Sequence, residues 1–370
     1  MNRSISIGLF SALVAIAGCV SILPWGDTSP ETFKIFADWC HNKARLPRQA
    51  RHTVNTLLDK AGTRECDQAT DILSNLTELN LSQERPFARQ ISDLGPVSSL
   101  TNLTQLSISS EHITDVAPLA RLENLTGLNL NYNPIVDITP LANLSNLTNL
   151  YLTGTQVTDL TPLTNLTRLS VLDLSHNNIT DTTPLADLTH LTVLHLRHNQ
   201  IADIAPLARL THLTELWLDA NQITDVTPLA DLTNLTVLWL HNNQITDISS
   251  LANLTHLTEL WLSFNQVTDV SPLANLTNLT KLQLYRNQIV DIAPLANLTN
   301  LPELNLNDNQ IVNVSPLANL TSLTQLSLDR NQIVNVSALE SLTKLQYLPL
   351  RENPLSERTC PVQPETVCVF

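Results

Sequence analysis

The sequence predicts an α/β repeat fold, a right-handed solenoid with a parallel β-sheet on its concave side and short 3₁₀ turns on its convex side. Two observations carry the prediction. Asparagine returns every 22 residues, at Asn133, Asn177, Asn199, Asn221, Asn243, Asn265, Asn287, Asn309, Asn331 and Asn353, and only Glu111 and Thr155 break the grid. Leucine and its relatives keep the same beat. Leu213, Leu216 and Leu218 precede Asn221, and Ile223, Val226, Leu229 and Leu232 follow it. A fixed period in the twenties marks stacked coils, each touching only its neighbours. The 370 residues therefore read as one elongated domain with caps, not as two or three globular ones.

One coil can be read from LTELWLDANQIT. A short strand covers about Glu215 to Leu218. Leu216 and Leu218 point inward, and Glu215 and Trp217 outward, because side chains alternate on a strand. Asn221 turns the chain out of the sheet. Its amide both donates and accepts, so a stack of such residues can satisfy turn groups in two coils at once. On the return path Asp225 is placed for an Asx-turn, Thr227 for an N-cap, and Pro228 for the first position of a helical turn. The Asp column from Asp115 to Asp291 ends in Asn313 and Asn335. That switch keeps a turn hydrogen bond and loses the charge, which favours a structural role over calcium binding. The recurring Gln column (Gln200, Gln222, Gln244 and onward) reads as an amide ladder at the sheet edge.

The pattern LxxLxLxxNxI is that of a leucine-rich repeat. The string LTNLTVLWLHNNQITDISSLANL at Leu232–Leu254 resembles the 22-residue repeats of bacterial internalins and related surface proteins. The resemblance runs from about Leu103 to Leu355. It implies non-catalytic protein binding through the sheet face and no cofactor. A partial coil precedes it at Leu76, Leu79 and Leu81, five residues longer than the others, with SQERPF as the bulge.

Both ends need caps, since a terminal coil would expose its leucines. The expected organisation is a signal segment at 1–19, a linker at 20–28, a helical cap at 29–75, the solenoid at 76–355 and a disulfide cap at 356–370. In the N-terminal cap, one helix opens at Ser29-Pro30-Glu31, a second runs from Pro47 to Ala61 before Gly62, and a third follows Cys66. Phe33, Phe36, Leu57 and Leu58 should cover the first coil. Arg3 and the apolar run Ile5 to Ala17 form a secretory start. It ends in Ile16-Ala17-Gly18-Cys19, which resembles a bacterial lipobox with Cys19 as the lipidated residue. A simply cleaved signal peptide and an uncleaved anchor are the alternatives. No cysteine lies in the repeats. Cys40 with Cys66 and Cys360 with Cys368 read as cap disulfides of an exported protein, leaving Cys19 over. The expected location is the bacterial envelope, as a membrane-anchored lipoprotein or a secreted or periplasmic monomer. The membrane is met only through the N-terminal anchor.

A net charge of −14 argues against nucleic acid and anionic lipid as partners. Every aromatic between Leu103 and Leu355 falls on an outward concave position. Trp217, Trp239 and Trp261 share one site in consecutive coils. Tyr151, His195, Arg197, His198, Asp219, His241, Phe264, Tyr285 and Arg286 lie around them, with Glu215, Glu259 and Lys281 at the rim. An apolar centre with a charged rim suits a protein or peptide partner, because Trp, Tyr and Arg dominate binding hot spots. A glycan-binding face and a purely structural scaffold are the alternatives. His176, His195, His198 and His241 lack the tight spacing of metal ligands. Nothing in the pattern builds a catalytic pocket, nucleophile or phosphate loop.

Overall fold

The protein is seen in a computed structural model, described over residues 32–82 and 90–370. The signal segment, Cys19 and the Ser29-Pro30-Glu31 helix start lie outside the described residues, as does most of the SQERPF stretch. Twelve parallel strands, β1 (Glu78–Asn80) to β12 (Gln325–Ser327), pair in chain order as one sheet. Each strand has three residues, and the central Leu is buried while its neighbours face the concave side, as for Leu216 between Glu215 and Trp217 in β7 (Glu215–Trp217). Register is fixed by the repeat: Leu194, Leu216, Leu238 and Leu260 lie side by side on β6 (Val193–His195), β7, β8 (Val237–Trp239) and β9 (Glu259–Trp261). A one-residue slip would send every leucine outward, so the buried face holds the register.

The asparagine ladder bonds as its chemistry allows. The Asn243 Nδ2 donates to the carbonyls of Leu218 and Leu240, both at 3.0 Å, and its Oδ1 accepts the Ile223 N–H at 3.0 Å. One side chain thus joins two coils. The two exceptions adapt. Glu111 accepts the Ile91 N–H in the same way but brings no NH₂ group, and burial pushes its carboxyl up to about 7 despite that bond. The Thr155 hydroxyl lies 3.0 Å from the Leu152 carbonyl and 2.7 Å from Asn177 Oδ1.

On the convex side each coil makes a 3₁₀ turn, such as Thr227–Leu229. The Asx-turns are present, with Asp225 Oδ1 accepting the Thr227 N–H at 2.8 Å, and Asn335 accepting that of Ser337 at the same distance. The start of the turn differs by one residue from the expectation. Thr227 is its first residue and Pro228 its second, because the Asp225 carboxylate already caps the turn. The Gln column also differs. Its backbone carries the ladder, as in Gln222 N–H to Ile201 O at 2.8 Å, while the exposed Gln side chains make no hydrogen bond among the described residues.

The N-terminal cap has three helices: α1 (Phe36–His41), α2 (Arg48–Ala61) and α3 (Cys66–Ser74). Gly62 ends α2 in the left-handed region at φ 69°. The first described α-helix starts at Phe36. Asp38 sets its start by accepting the N–H groups of Lys34 and Ile35 at 2.8 and 3.0 Å. Phe33, Phe36, Leu57 and Leu58 are buried in one core that is continuous with the coils. The Trp39 ring packs against Gly95, where a Cβ would fall 2.5 Å from it, and Thr53 donates to the Asp93 carbonyl at 2.7 Å. Cys40–Cys66 and Cys360–Cys368 are both disulfide-bonded. The chain then ends in a way the repeat pattern does not foretell. Cys368–Val369 returns as a strand, β14, parallel to β13 (Leu348–Pro349) of the last coil. No helix among the described residues is long and apolar enough to cross a membrane.

Candidate functional site

The concave face is a grid whose columns run across the strands. The outward column at the ends of β4 (Asn149–Tyr151) to β10 (Lys281–Gln283) reads Tyr151, Asp173, His195, Trp217, Trp239, Trp261 and Gln283. Parallel strands lie about 4.8 Å apart, so flat rings in one column must stack. They do. Ring centroids are 3.7 Å apart for His195–Trp217, 4.2 Å for Trp217–Trp239 and 4.9 Å for Trp239–Trp261. Self-stacking covers the inner ring faces and leaves the column edge-on to solvent.

Acidic side chains fix this column. Glu215 Oε1 lies 3.0 Å from His195 Nε2, and Asp173 Oδ2 lies 3.6 Å from His195 Nδ1. The indole N–H of Trp239 donates to Glu259 at 3.0 Å, and Lys281 pairs with that same carboxylate at 3.1 Å. Sequence reading missed Asp173. The signal was there, since it precedes His195 in the same column. Burial pushes the Asp173 carboxyl up, but the adjacent His195 imidazole and the Ser175 N–H outweigh it and hold it below the usual aspartate value.

The next outward column holds Arg197, Asp219 and His241. Asp219 is not on the rim. Its side chain is fully buried, 3.5 Å from Arg197 Nε and 3.3 Å from His241 Nε2. These are ion-pair contacts without aligned hydrogen bonds. They hold the Arg197 guanidinium 5.9 Å from the Trp217 ring centroid. Burial lowers the affinity of His241 for a proton, against the pull of Asp219.

The residue before each grid position takes a left-handed backbone, with φ between 52° and 60° at Tyr132, His176, His198, Phe264 and Arg286 among others. Such a conformation costs a non-glycine residue about 1–2 kcal/mol. The ladder asparagine that follows bonds the turn from both sides and offsets that cost. Large side chains are thereby lifted onto the edge of the concave face. His198 stacks on His176 at 4.3 Å, Phe264 meets Tyr285 edge-on at 5.0 Å, and Arg286 sits 4.7 Å over Phe264.

The predicted residues thus form one patch and two satellites. His195, Arg197, Trp217, Asp219, Trp239, His241 and Trp261 lie together. Phe264, Tyr285 and Arg286 adjoin them on the C-terminal side, and His198 pairs with His176 on the other. Tyr151 stands apart, two strands from His195, and lines a different hollow. Among the described residues no group of three or more His, Cys, Asp or Glu is placed to hold a metal ion.

Comparison with known proteins agrees with this architecture. The family described as Leucine Rich repeats (2 copies) matches at 123–165, 145–187, 167–209, 189–231, 233–275, 255–297 and 277–319. The solved internalin InlF of Listeria monocytogenes is 35% identical, with a TM-score of 0.71 over 82% of this chain and 98% of that one. Internalin C2 of the same bacterium is 36% identical, with a TM-score of 0.50 over 64% of this chain and 91% of that one. The functional domain of its InlJ, 24% identical with a TM-score of 0.57 over 86% of this chain and 75% of that one, shares the fold and includes a cysteine ladder. A comparison with curated protein sequences finds no match. With the repeat family matched over more than half of its length and InlF 35% identical over 82% of it, the chain belongs to the internalin-type leucine-rich repeat proteins.

Proposed function

We propose that this protein binds a protein or peptide partner, without catalysis, through the concave patch centred on Trp217, Trp239 and Trp261. The observation that carries the reading is the stacked column itself, edge-on to solvent and ringed by the His195, Arg197, Asp219 and Glu259 ion pairs. A rigid aromatic centre held by a fixed polar surround is the anatomy of a hot spot. The indole N–H groups of Trp217 and Trp261 are buried and have no acceptor among the described residues. A glycan fits this patch poorly, because the ring faces a sugar would stack on are already covered. The test is affinity capture with the fragment from Ser29 onward, beside a Trp217→Ala, Trp239→Ala, Trp261→Ala variant. Each single Trp truncation is expected to cost about 2 kcal/mol, or roughly 30-fold in Kd. A partner held equally by the triple variant would end this reading.

We also infer that the partner is met outside the cytoplasm. Two disulfides support an oxidising compartment, and Ile16-Ala17-Gly18-Cys19 supports lipid anchoring at Cys19. Mass spectrometry of the mature N-terminus is expected to find a diacylglyceryl Cys19. A mature chain that starts elsewhere, or a bare thiol at Cys19, contradicts the anchor.

A further inference from the structure

At the N-terminal end of the concave face the chemistry changes. The outward column there reads Asn80, Ser107, Asn129 and Tyr151 on β1, β2 (Gln105–Ser107), β3 (Gly127–Asn129) and β4 (Asn149–Tyr151). These side chains floor a hollow of about 420 Å³, open to solvent, within the size range of small-ligand clefts. Gly127 makes the hollow possible. The Gln105 side chain leans across it, and a Cβ at 127 would fall 1.9 Å from Gln105 Oε1.

The amides in this floor are oriented in advance. Asn129 Oδ1 accepts the Asn131 N–H at 3.0 Å, and Asn80 Oδ1 accepts the Ser82 N–H at 2.9 Å. Each carbonyl is tied to backbone, so each NH₂ is turned outward, and neither donates to any described residue of the chain. Beside the floor, in the same coil as Asn129, stands Tyr132. It is 58% exposed, the most exposed large apolar side chain among the described residues. One side of its ring lies against Gly154, where a Cβ would come within 2.6 Å. Its other neighbour in that column is Ser110, too small to cover it. The ring is therefore an open platform, unlike the tryptophans, whose faces cover one another.

We propose that this hollow is a second binding site, specific for a neutral oligosaccharide. The class follows from the groups present. Sugar hydroxyls both donate and accept, and so do amides and hydroxyls, whereas a lone carboxylate or ammonium offers one role only. Aromatic rings with a free face take the apolar side of a pyranose. Among the described residues, Glu78 is the only charged one lining the hollow, and no Lys or Arg lines it to attract a sulfated or sialylated chain. Polypeptide interfaces are anchored most often by Trp and Arg, and neither lines this hollow among the described residues. The site is independent of the tryptophan patch and stands or falls separately from it.

Two substitutions test the site without touching the framework. Asn129→Asp keeps the turn acceptor, because Asp173 in the same column bonds the Ser175 N–H at 2.9 Å in that way, but it deletes the NH₂ donor. Tyr132→Asn removes the platform and is tolerated by the backbone, since Asn242 holds the equivalent place at φ 57°. The protein is passed over an array of neutral hexose and N-acetylhexosamine oligomers beside sialylated and sulfated ones. Expected is binding to one or more neutral oligomers, weakened at least tenfold by each substitution and unaffected by the triple Trp→Ala variant. Any of four results overturns the proposal: no neutral oligomer binds, only acidic ones bind, both variants bind like the parent, or the loss follows the tryptophans. A polypeptide ligand released by Asn129→Asp and Tyr132→Asn, with the neutral arrays blank, overturns it too.

Discussion

Replacing Asn243 with alanine is expected to cost about 3 kcal/mol of stability and to leave the choice of partner unchanged. The substitution strands the carbonyls of Leu218 and Leu240 and the N–H of Ile223, all inside the wall of the solenoid. Each buried unpaired group costs about 1–3 kcal/mol, and partial relaxation or an entering water keeps the sum at the low end. Because coils interact only with neighbours, the damage is local. Exchange of the Ile223 amide should quicken by about 100-fold, with distant coils far less affected. Asn243→Asp is the sharper control. It keeps the acceptor and places a carboxylate against two carbonyls in a buried position, and burial is what pushes Glu111 up to about 7. A carboxyl whose folded pKa is raised binds more protons folded than unfolded. That variant is therefore most stable below the ordinary carboxylate range and loses stability as pH rises toward the raised value. Urea unfolding at pH 5 and pH 8 should separate the two. Equal stability of parent and Asn243→Ala would mean the ladder is not bonded as described.

Most of the fold was legible because a repeat states its rule many times. Strand, turn and ladder follow from period and side-chain alternation alone, and the cap disulfides from cysteines confined to the ends. What was not legible depends on competition between neighbours. Thr227 looks like an N-cap until Asp225 is seen to take its N–H. The return of Cys368–Val369 as a strand is a tertiary pairing with no periodic signal. At the concave face, column membership was legible but depth was not. Asp219 and Glu215 are both outward positions on one coil. Asp219 is closed over between Arg197 and His241, whereas Glu215 keeps about a third of its side chain in solvent. The N-terminal hollow was invisible for the opposite reason. It depends on small residues, Gly127 in its lining and Gly154 under the neighbouring Tyr132 ring, whose effect is on what their neighbours can reach.

Opening the Cys40–Cys66 bond is expected to cost about 3.5 kcal/mol, more than opening Cys360–Cys368, at about 2.5 kcal/mol. The difference is chain entropy. The first bond spans a sequence separation of 26 and the second of 8, and the freedom denied to the unfolded chain grows with the logarithm of loop length. The first also clamps α1 to α3 over the end of the core. In a Cys40→Ala, Cys66→Ala variant those helices should part from the first coil before the rest unfolds. Leu79 and Leu94 would then meet water, and a solenoid end without a cap is the place where unfolding begins. Limited proteolysis should cut between residues 36 and 74 in the variant at conditions where the parent resists, and urea unfolding should gain an early phase. The patch at Trp217, Trp239 and Trp261 lies several coils away, so partner affinity should stay within a factor of about two, as expected for distant independent sites. A variant with the parent's unfolding curve and protease resistance would show that helix packing alone secures the cap. A variant that keeps its coils but loses its partner would place part of the binding surface on the cap instead.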